Sequence, residues 1–273
     1  MSVHGRNKRM TTQTIRDCKS ATPLVGLTAY TAPIAKIMDE HVDLILVGDS
    51  LAMTIYGLDS TLGISLDTMI QHGRAVAHSC SHACVVVDLP FGSYQESPEQ
   101  AFRSASRVLQ ETGCQAIKLE GGQEMAETVA FLAARGVPVL GHIGLTPQSM
   151  NTLGGFKTQG RDEESAKKLL ADGKAMDEAG AFATVIEGVV EPIARSVTES
   201  ISIPTIGIGA SQACDGQILV VDDVLGVFNE FQPKFVKRYA NLRADMENAI
   251  KTFAGEVRTG AFPSEDHVFK PKA

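Results

Sequence analysis

The sequence has no excess of basic residues: 25 Lys and Arg stand against 32 Asp and Glu, for a net charge of −7 and a pI of about 5.5. That balance argues against a dedicated nucleic-acid binder, which presents a basic face, but leaves room for a local basic site that takes a small anion. No apolar stretch reaches the ~18 residues of a spanning helix, so no membrane association is expected. The opening "MSVHGRNKRM" is basic but lacks the apolar core of a secretory signal and reads as a loose tail. The five cysteines are odd in number and form no C-x-x-C pair, which points to reduced thiols in a cytoplasmic protein, not to disulfides or zinc. There is no P-loop and no complete G-x-G-x-x-G; "EGG" (120–122) and "GIGA" (207–210) read first as tight strand-to-helix turns. No linker or low-complexity tract divides the chain. It reads as one domain over 1–273, with an N-terminal extension (1–20) and a C-terminal segment and tail (228–273) that looks helical after Pro233.

What the sequence does contain is alternation. Strand candidates are "PLVGLTA" (23–29), "DLILVGD" (43–49), "ACVVVDLP" (83–90), "CQAIKLE" (114–120), "VPVLGHIG" (137–144), "FATVIEG" (182–188), "IPTIGIGA" (203–210) and, less clearly, "QILVV" (217–221). Most are unbroken apolar runs, the pattern of strands covered on both faces in a parallel sheet. Helical patterns separate them. In 97–113, Ser97 is placed as N-cap, Pro98 as first helical residue, Gln100 as capping-box partner and Gly113 as the stop. Segments 124–136 and 164–180 repeat the scheme and also end on glycine. Eight strands with intervening helices favour a closed (β/α)8 TIM barrel with additional C-terminal helices; a doubly wound open sheet is the alternative. Two connections, 50–66 and 145–163, are long and rich in Gly, Thr and Ser, as functional loops often are.

The strand ends carry the chemistry. Asp49 and Ser50 follow the second run, Asp88 ends the third, Lys118 and Glu120 the fourth, His142 the fifth and Glu187 the sixth. In a TIM barrel these ends form the active-site face. Residues two apart on a strand share a face, so Lys118 and Glu120 point the same way. Several carboxylates at one mouth repel each other, and a hard cation such as Mg²⁺ would relieve that. Lys118 would hold an anionic substrate, and a carboxylate outside the metal shell would be free to act as a base. Taken singly, each residue has an ordinary explanation. A strand-end Asp is commonly a turn former or helix cap, a Lys–Glu pair a structural ion pair, and His142 a hydrogen-bonded core histidine. Cys84 and Cys114 fall in strands and read as core.

At these residues the sequence resembles the ketopantoate hydroxymethyltransferase family. The resemblance rests on "LTAY" (27–30), "LVGDSLAMTIYGLDST" (46–61), "DLPFGSY" (88–94), "KLEGG" (118–122), "GHIGLTPQS" (141–149), "GGFKTQGR" (154–161), "IGIGA" (206–210), "DGQILV" (215–220) and "KFVKRYA" (234–240). These run in unbroken order over roughly 20–240, with "FPSEDH" (262–267) near the end. The resemblance implies a (β/α)8 barrel that binds Mg²⁺ and transfers a hydroxymethyl group from 5,10-methylenetetrahydrofolate to 3-methyl-2-oxobutanoate, giving 2-dehydropantoate for pantothenate biosynthesis. It implies Asp49 and Asp88 at the metal, with Glu120 completing the site. It implies Asp49, Ser50, Asp88 and Lys118 at the substrate, Glu187 as the catalytic base and a supporting role for His142. It also implies a homo-oligomer, typically a decamer. The chain departs from the family pattern at Thr31, at "EGVV" (187–190) and at "GAS" (209–211), none of them a proposed ligand. The nearest rival is a Mg²⁺-dependent 2-oxo-acid lyase or mutase of the isocitrate lyase type. Its K-C-G-H loop is absent, and Cys214 precedes Asp215 and Gly216 instead. An inactive metabolite-binding paralogue would be expected to have lost a ligand or the base, and all are present.

Overall fold

The computed structural model describes residues 9–228 and 232–271. Eight parallel strands close into a barrel in sequence order: β1 (Leu24–Thr28), β2 (Leu44–Val47), β3 (Cys84–Asp88), β4 (Ala116–Lys118), β5 (Val139–Gly144), β6 (Ala183–Glu187), β7 (Thr205–Ile208) and β8 (Gly216–Leu219). Pairing of β1 with β8, Leu24 opposite Gly216, closes the ring and removes the open-sheet alternative. β2 and β3 are buried along their whole length, which is why they read as continuous apolar runs.

One face of every strand supplies a common core. Leu24, Leu44, Cys84, Ala116, Leu140, Ala183, Ile206 and Ile218 belong to one buried cluster. Ile15, on the helix Thr12–Arg16, joins it fully buried, with Met10 and Cys18 packed against it. The N-terminal extension therefore does structural work from Arg9 onward: Arg9 bonds the Cys80 carbonyl and Met10 N–H donates to His82 O at 2.7 Å. The rest of the expected tail, residues 1–8, lies outside the described residues.

The helix Pro98–Thr112 starts and stops where the sequence places it. Ser97 Oγ accepts the Gln100 N–H at 3.1 Å, and Gly113 closes the helix at φ 74°. The capping box is shifted by one residue: Gln100 Oε1 accepts from Glu96 N–H, and its Nε2 donates to Gly92 O. Cys114 lies two residues before β4, buried, not within it. The two long connections contain short helical turns, Leu51–Thr54 and Thr61–Gly63 in the first, Pro147–Ser149 and Met150–Leu153 in the second.

Asp39, buried at the end of the helix Ala32–Met38, organises the turn into β3. It accepts N–H groups from Ser81 (2.6 Å), His82 (3.0 Å) and Ala83 (2.9 Å). Burial by itself would raise this carboxyl, but the N–H groups outweigh it and hold the pKa below the ordinary value. The stabilisation is therefore complete above the ordinary carboxylate range and is lost as pH falls through the lower folded value. Asp39→Ala strands three donors and is expected to cost about 3 kcal/mol at pH 7. Urea unfolding should show the gap to wild type narrowing in acid; a gap independent of pH would assign the loss to packing.

The chain resolves into two compact units, meeting in sequence at Val221 and Asp222. In the second, the main helix is Leu242–Thr259, nine residues later than Pro233 suggests. The intervening backbone is committed elsewhere: Val236 N–H turns back to Pro233 O, and Tyr239 N–H donates to Val224 O at 2.8 Å. Met246, Ile250, Phe253 and Val257 recur at helical spacing along this helix and are all exposed.

Candidate active site

A period of two along a strand explains how the polar ends reach one place. Asp88 follows Cys84 and Val86, Lys118 follows Ala116, His142 follows Leu140, and Glu187 follows Ala183 and Val185. The apolar members of each series are barrel core, so the polar ones form the next interior layer at the C-terminal end. Register aligns Asp88 with Lys118 and Gly144 with Glu187.

Lys118 Nζ lies 2.8 Å from Asp88 Oδ1, so its ion-pair partner is across the strands and not its neighbour Glu120. Asp88 Oδ2 accepts the backbone N–H of Asp49 at 3.0 Å. Glu120 instead faces His142, with Oε1 at 3.4 Å from Nδ1, and His142 Nε2 lies 3.3 Å from Glu187 Oε2. His142 Nδ1 is also 3.4 Å from Lys118 Nζ. All seven residues named from the sequence thus gather here. Among the carboxylates they differ in access: the Glu187 side chain is 20% exposed, against 2% for Asp88 and 3% for Glu120. Glu187 is the one a ligand entering the mouth meets first.

Asp49 and Ser50 are not caps. Ser50 precedes the short helix Leu51–Thr54 without capping it, and its Oγ lies 2.8 Å from Tyr30 OH. Asp49 is buried, and its Oδ2 accepts from Gln148 Nε2 at 2.8 Å. The glycine before them is required by space: a Cβ on Gly48 would come within 2.9 Å of Ser50 Oγ and 3.6 Å of Asp88 Oδ2. Gly144, at φ 98°, has the same kind of role, since a Cβ there would reach 2.4 Å from Glu187 O.

The charges are unbalanced. Burial first, then Asp88 and Glu120, push the Asp49 carboxyl up to about 8 against the pull of Lys118 and Gln148. Burial works against the Lys118 ammonium, but Asp88, Glu120 and Asp49 outweigh it and keep the group charged. Burial and Lys118 also oppose a charge on His142, yet Glu120 and Glu187 raise it to about 9. Carboxylates crowded so that burial and their neighbours raise Asp49 are ones that a bound cation would stabilise. Among the described residues, no three His, Cys, Asp or Glu side chains already surround a single metal position. The all-oxygen donor set and the space kept by Gly48 fit a hard ion that takes one or two carboxylates and keeps waters, as Mg²⁺ does.

Sequence reasoning missed three residues here: Gln148, Tyr94 and Tyr30. Gln148 is buried on the turn Pro147–Ser149, and Tyr94 is fully buried beside it. Tyr94 OH accepts the Glu120 N–H at 3.1 Å and lies 2.7 Å from Gln148 Oε1. All three fall inside recognisable stretches, but no strand or helix period sets them apart. Two departures from the family pattern lie off the cluster: Thr31 is exposed, and Ser211 Oγ donates to Glu191 Oε1 at 2.9 Å; the third, residues 188–190, directly follows Glu187.

Comparison with known proteins bears on the fold and the family. The solved phosphonopyruvate hydrolase complex with oxalate and Mg²⁺ superposes with a TM-score of 0.59 at 16% identity, covering 94% of this chain and 93% of that one. For 2,3-dimethylmalate lyase the values are 0.59, 14%, 94% and 91%. At such identities the likeness carries the barrel fold alone. The 3-methyl-2-oxobutanoate hydroxymethyltransferase of Agrobacterium fabrum (strain C58) is 58% identical over 270 residues, 99% of this chain and 97% of that protein. The enzyme of the same name from Sinorhizobium medicae (strain WSM419) is 58% identical over 272 residues and the whole of both chains. The sequence profile of ketopantoate hydroxymethyltransferase matches residues 9–265, and the chain belongs to that family.

Proposed function

We infer that this chain is a 3-methyl-2-oxobutanoate hydroxymethyltransferase, which adds a hydroxymethyl group from 5,10-methylenetetrahydrofolate to C3 of the 2-oxo acid to give 2-dehydropantoate. The observation that carries the chemistry is the layer of Asp88, Lys118, His142 and Glu187 above the barrel core, with Asp49 and Glu120 beside it. In this reading Asp49, Asp88 and Glu120 would hold Mg²⁺. When bound, the ion would supply Lewis acidity that makes the C3 hydrogen beside the ketone acidic.

The chain's own groups do the rest. Lys118, kept charged at the floor of the mouth, offsets the carboxylate of the substrate. Ser50, held by Tyr30, lines the same side. Glu187, the accessible carboxylate, takes the C3 proton, and the electron pair moves toward the ketone oxygen. His142 Nε2 faces Glu187 Oε2 and restricts the rotation of that carboxylate. The C3 carbanion equivalent then forms a C–C bond to the one-carbon unit as one C–N bond breaks. Water replaces the second nitrogen and supplies the hydroxyl, and the C3 proton and a proton of water end on the two folate nitrogens. The reading carries a homo-oligomer, a decamer by family resemblance, and the exposed stripe Met246, Ile250, Phe253 and Val257 supports self-association. No described helix is long and apolar enough to cross a membrane; a cytoplasmic location fits five free cysteines, of which Cys80 and Cys84 are pushed up to about 12 by burial.

The test follows the C3 proton of 3-methyl-2-oxobutanoate in D2O by NMR. Exchange that requires Mg²⁺, followed by 2-dehydropantoate once the folate is added, is expected. Neither exchange nor product in folded, Mg²⁺-loaded protein would leave a binding protein on this fold.

A further inference from the structure

Gln148 is polar, buried and saturated. Its Nε2 donates to Asp49 Oδ2 at 2.8 Å and to Leu89 O at 3.0 Å. Its Oε1 accepts from Tyr94 OH at 2.7 Å and from Gln95 Nε2 at 3.1 Å. Its backbone N–H donates to Glu120 Oε2 at 3.0 Å. An amide side chain has two donor hydrogens and two acceptor lone pairs, and all four are used.

The direction of the amide is dictated by its neighbours. Leu89 O can only accept, so it must meet the NH2 group. Tyr94 OH accepts the Glu120 N–H, and its proton goes to Gln148 Oε1 at 2.7 Å in preference to Glu120 O at 3.4 Å. Flipping the amide would set its oxygen against a carbonyl and a carboxylate at once, and its NH2 against the Gln95 amide hydrogens. One residue on the loop after β5 thus grips two carboxylates that end different strands, Asp49 after β2 and Glu120 after β4. It grips each at one oxygen, and it does so without charge. A lysine in this place would neutralise the carboxylates it holds, and a glutamate would add to their repulsion.

From this geometry we propose that Gln148 is a positioning residue that sets Asp49 and Glu120 for the cation, with Tyr94 locking the direction of its amide. The inference rests on the metal assignment made above for the same site. Gln148→Met keeps the approximate volume and removes all four side-chain bonds, to Asp49, Leu89, Tyr94 and Gln95, while the backbone N–H to Glu120 stays. Tyr94→Phe removes only the hydroxyl and leaves the Gln148 amide held by Asp49, Leu89 and Gln95, with one donor fewer at Oε1. Outer groups of this kind change metal affinity or activity by about 10- to 100-fold.

The experiment titrates EDTA-stripped full-length protein with Mn²⁺ in the absence of substrate, reading free Mn²⁺ by EPR, with folding checked by circular dichroism. Wild type should bind Mn²⁺. Gln148→Met should bind it at least tenfold more weakly, and Tyr94→Phe should fall between the two. In the C3 exchange assay, the Tyr94→Phe defect should shrink as Mg²⁺ is raised, which a loss of fold would not do. Wild-type Mn²⁺ affinity in folded Tyr94→Phe and Gln148→Met would overturn the positioning role while leaving the metal site standing. No Mn²⁺ binding by wild type would overturn the metal assignment and the inference with it.

Discussion

Glu187→Gln is expected to lower turnover by about 10²- to 10⁴-fold, the range that a positioned general base contributes, while leaving substrate affinity within a few-fold of wild type. The substitution keeps the shape and the acceptor oxygen but removes the group that takes a proton. Glu187 is accessible at the mouth and contacts the cluster through His142 Nε2 at 3.3 Å, so its loss leaves the buried pairs of the floor intact. The C3 exchange assay isolates the step: exchange should fall with overall turnover. Exchange at the wild-type rate with turnover alone reduced would move the base elsewhere and give Glu187 a role in the folate half of the reaction.

Asp88→Ala is expected to damage both stability and metal binding, for separate reasons. Removing one partner of a buried ion pair typically costs about 3–5 kcal/mol, because the other charge is left in a poor solvent. Here Lys118 would retain Glu120 and Asp49 as further negative neighbours, so the low end, about 3 kcal/mol, is expected. The substitution also strands the Asp49 N–H that Asp88 Oδ2 accepts. Mg²⁺ affinity should fall by at least the ~100-fold that loss of even an outer partner reaches. Asp88→Asn separates the two effects. It fills the space and can keep an acceptor for the Asp49 N–H, but it turns an NH2 toward Lys118, so only part of the stability should return while metal affinity stays low. Wild-type Mg²⁺ affinity in Asp88→Asn would take this carboxylate out of the metal site.

The two substitutions probe different depths of one layer, and that layer was largely legible in the sequence. Apolar runs ending in Asp88, Lys118, His142 and Glu187 carry their own geometry, because a strand returns to the same face every second residue. Once Cys84, Val86, Ala116, Leu140, Ala183 and Val185 are barrel core, the polar residues that follow have nowhere to point but the mouth. The same runs favour a parallel barrel over other folds, but closure itself is decided by the pairing of β1 with β8.

Partnerships within the layer were not legible. The adjacent Lys118 and Glu120 invite pairing, yet Lys118 pairs with Asp88 and Glu120 meets His142. Strand register and barrel curvature decide which heads approach, and neither is written in local spacing. The start of the C-terminal helix was displaced for a related reason: the backbone after Pro233 finds acceptors at Pro233 and Val224 before a helix can claim it.

By itself, then, the sequence determined the eight apolar runs, the inward face and the polar ends Asp88, Lys118, Glu120, His142 and Glu187, because each depends on a period of two and on the burial of apolar side chains, whereas Asp49 and Ser50 stood out by the break after the second run and by resemblance. Only the tertiary structure decided that Gln148 joins Asp49 to Glu120, that Tyr94 fixes the direction of that amide, that Ile15 fills the bottom of the barrel and that Glu187 is the accessible carboxylate. Gln148 and Asp49 are 99 residues apart, and a hydrogen bond acts over about 3 Å. Nothing but closure of the barrel brings such atoms within reach of each other.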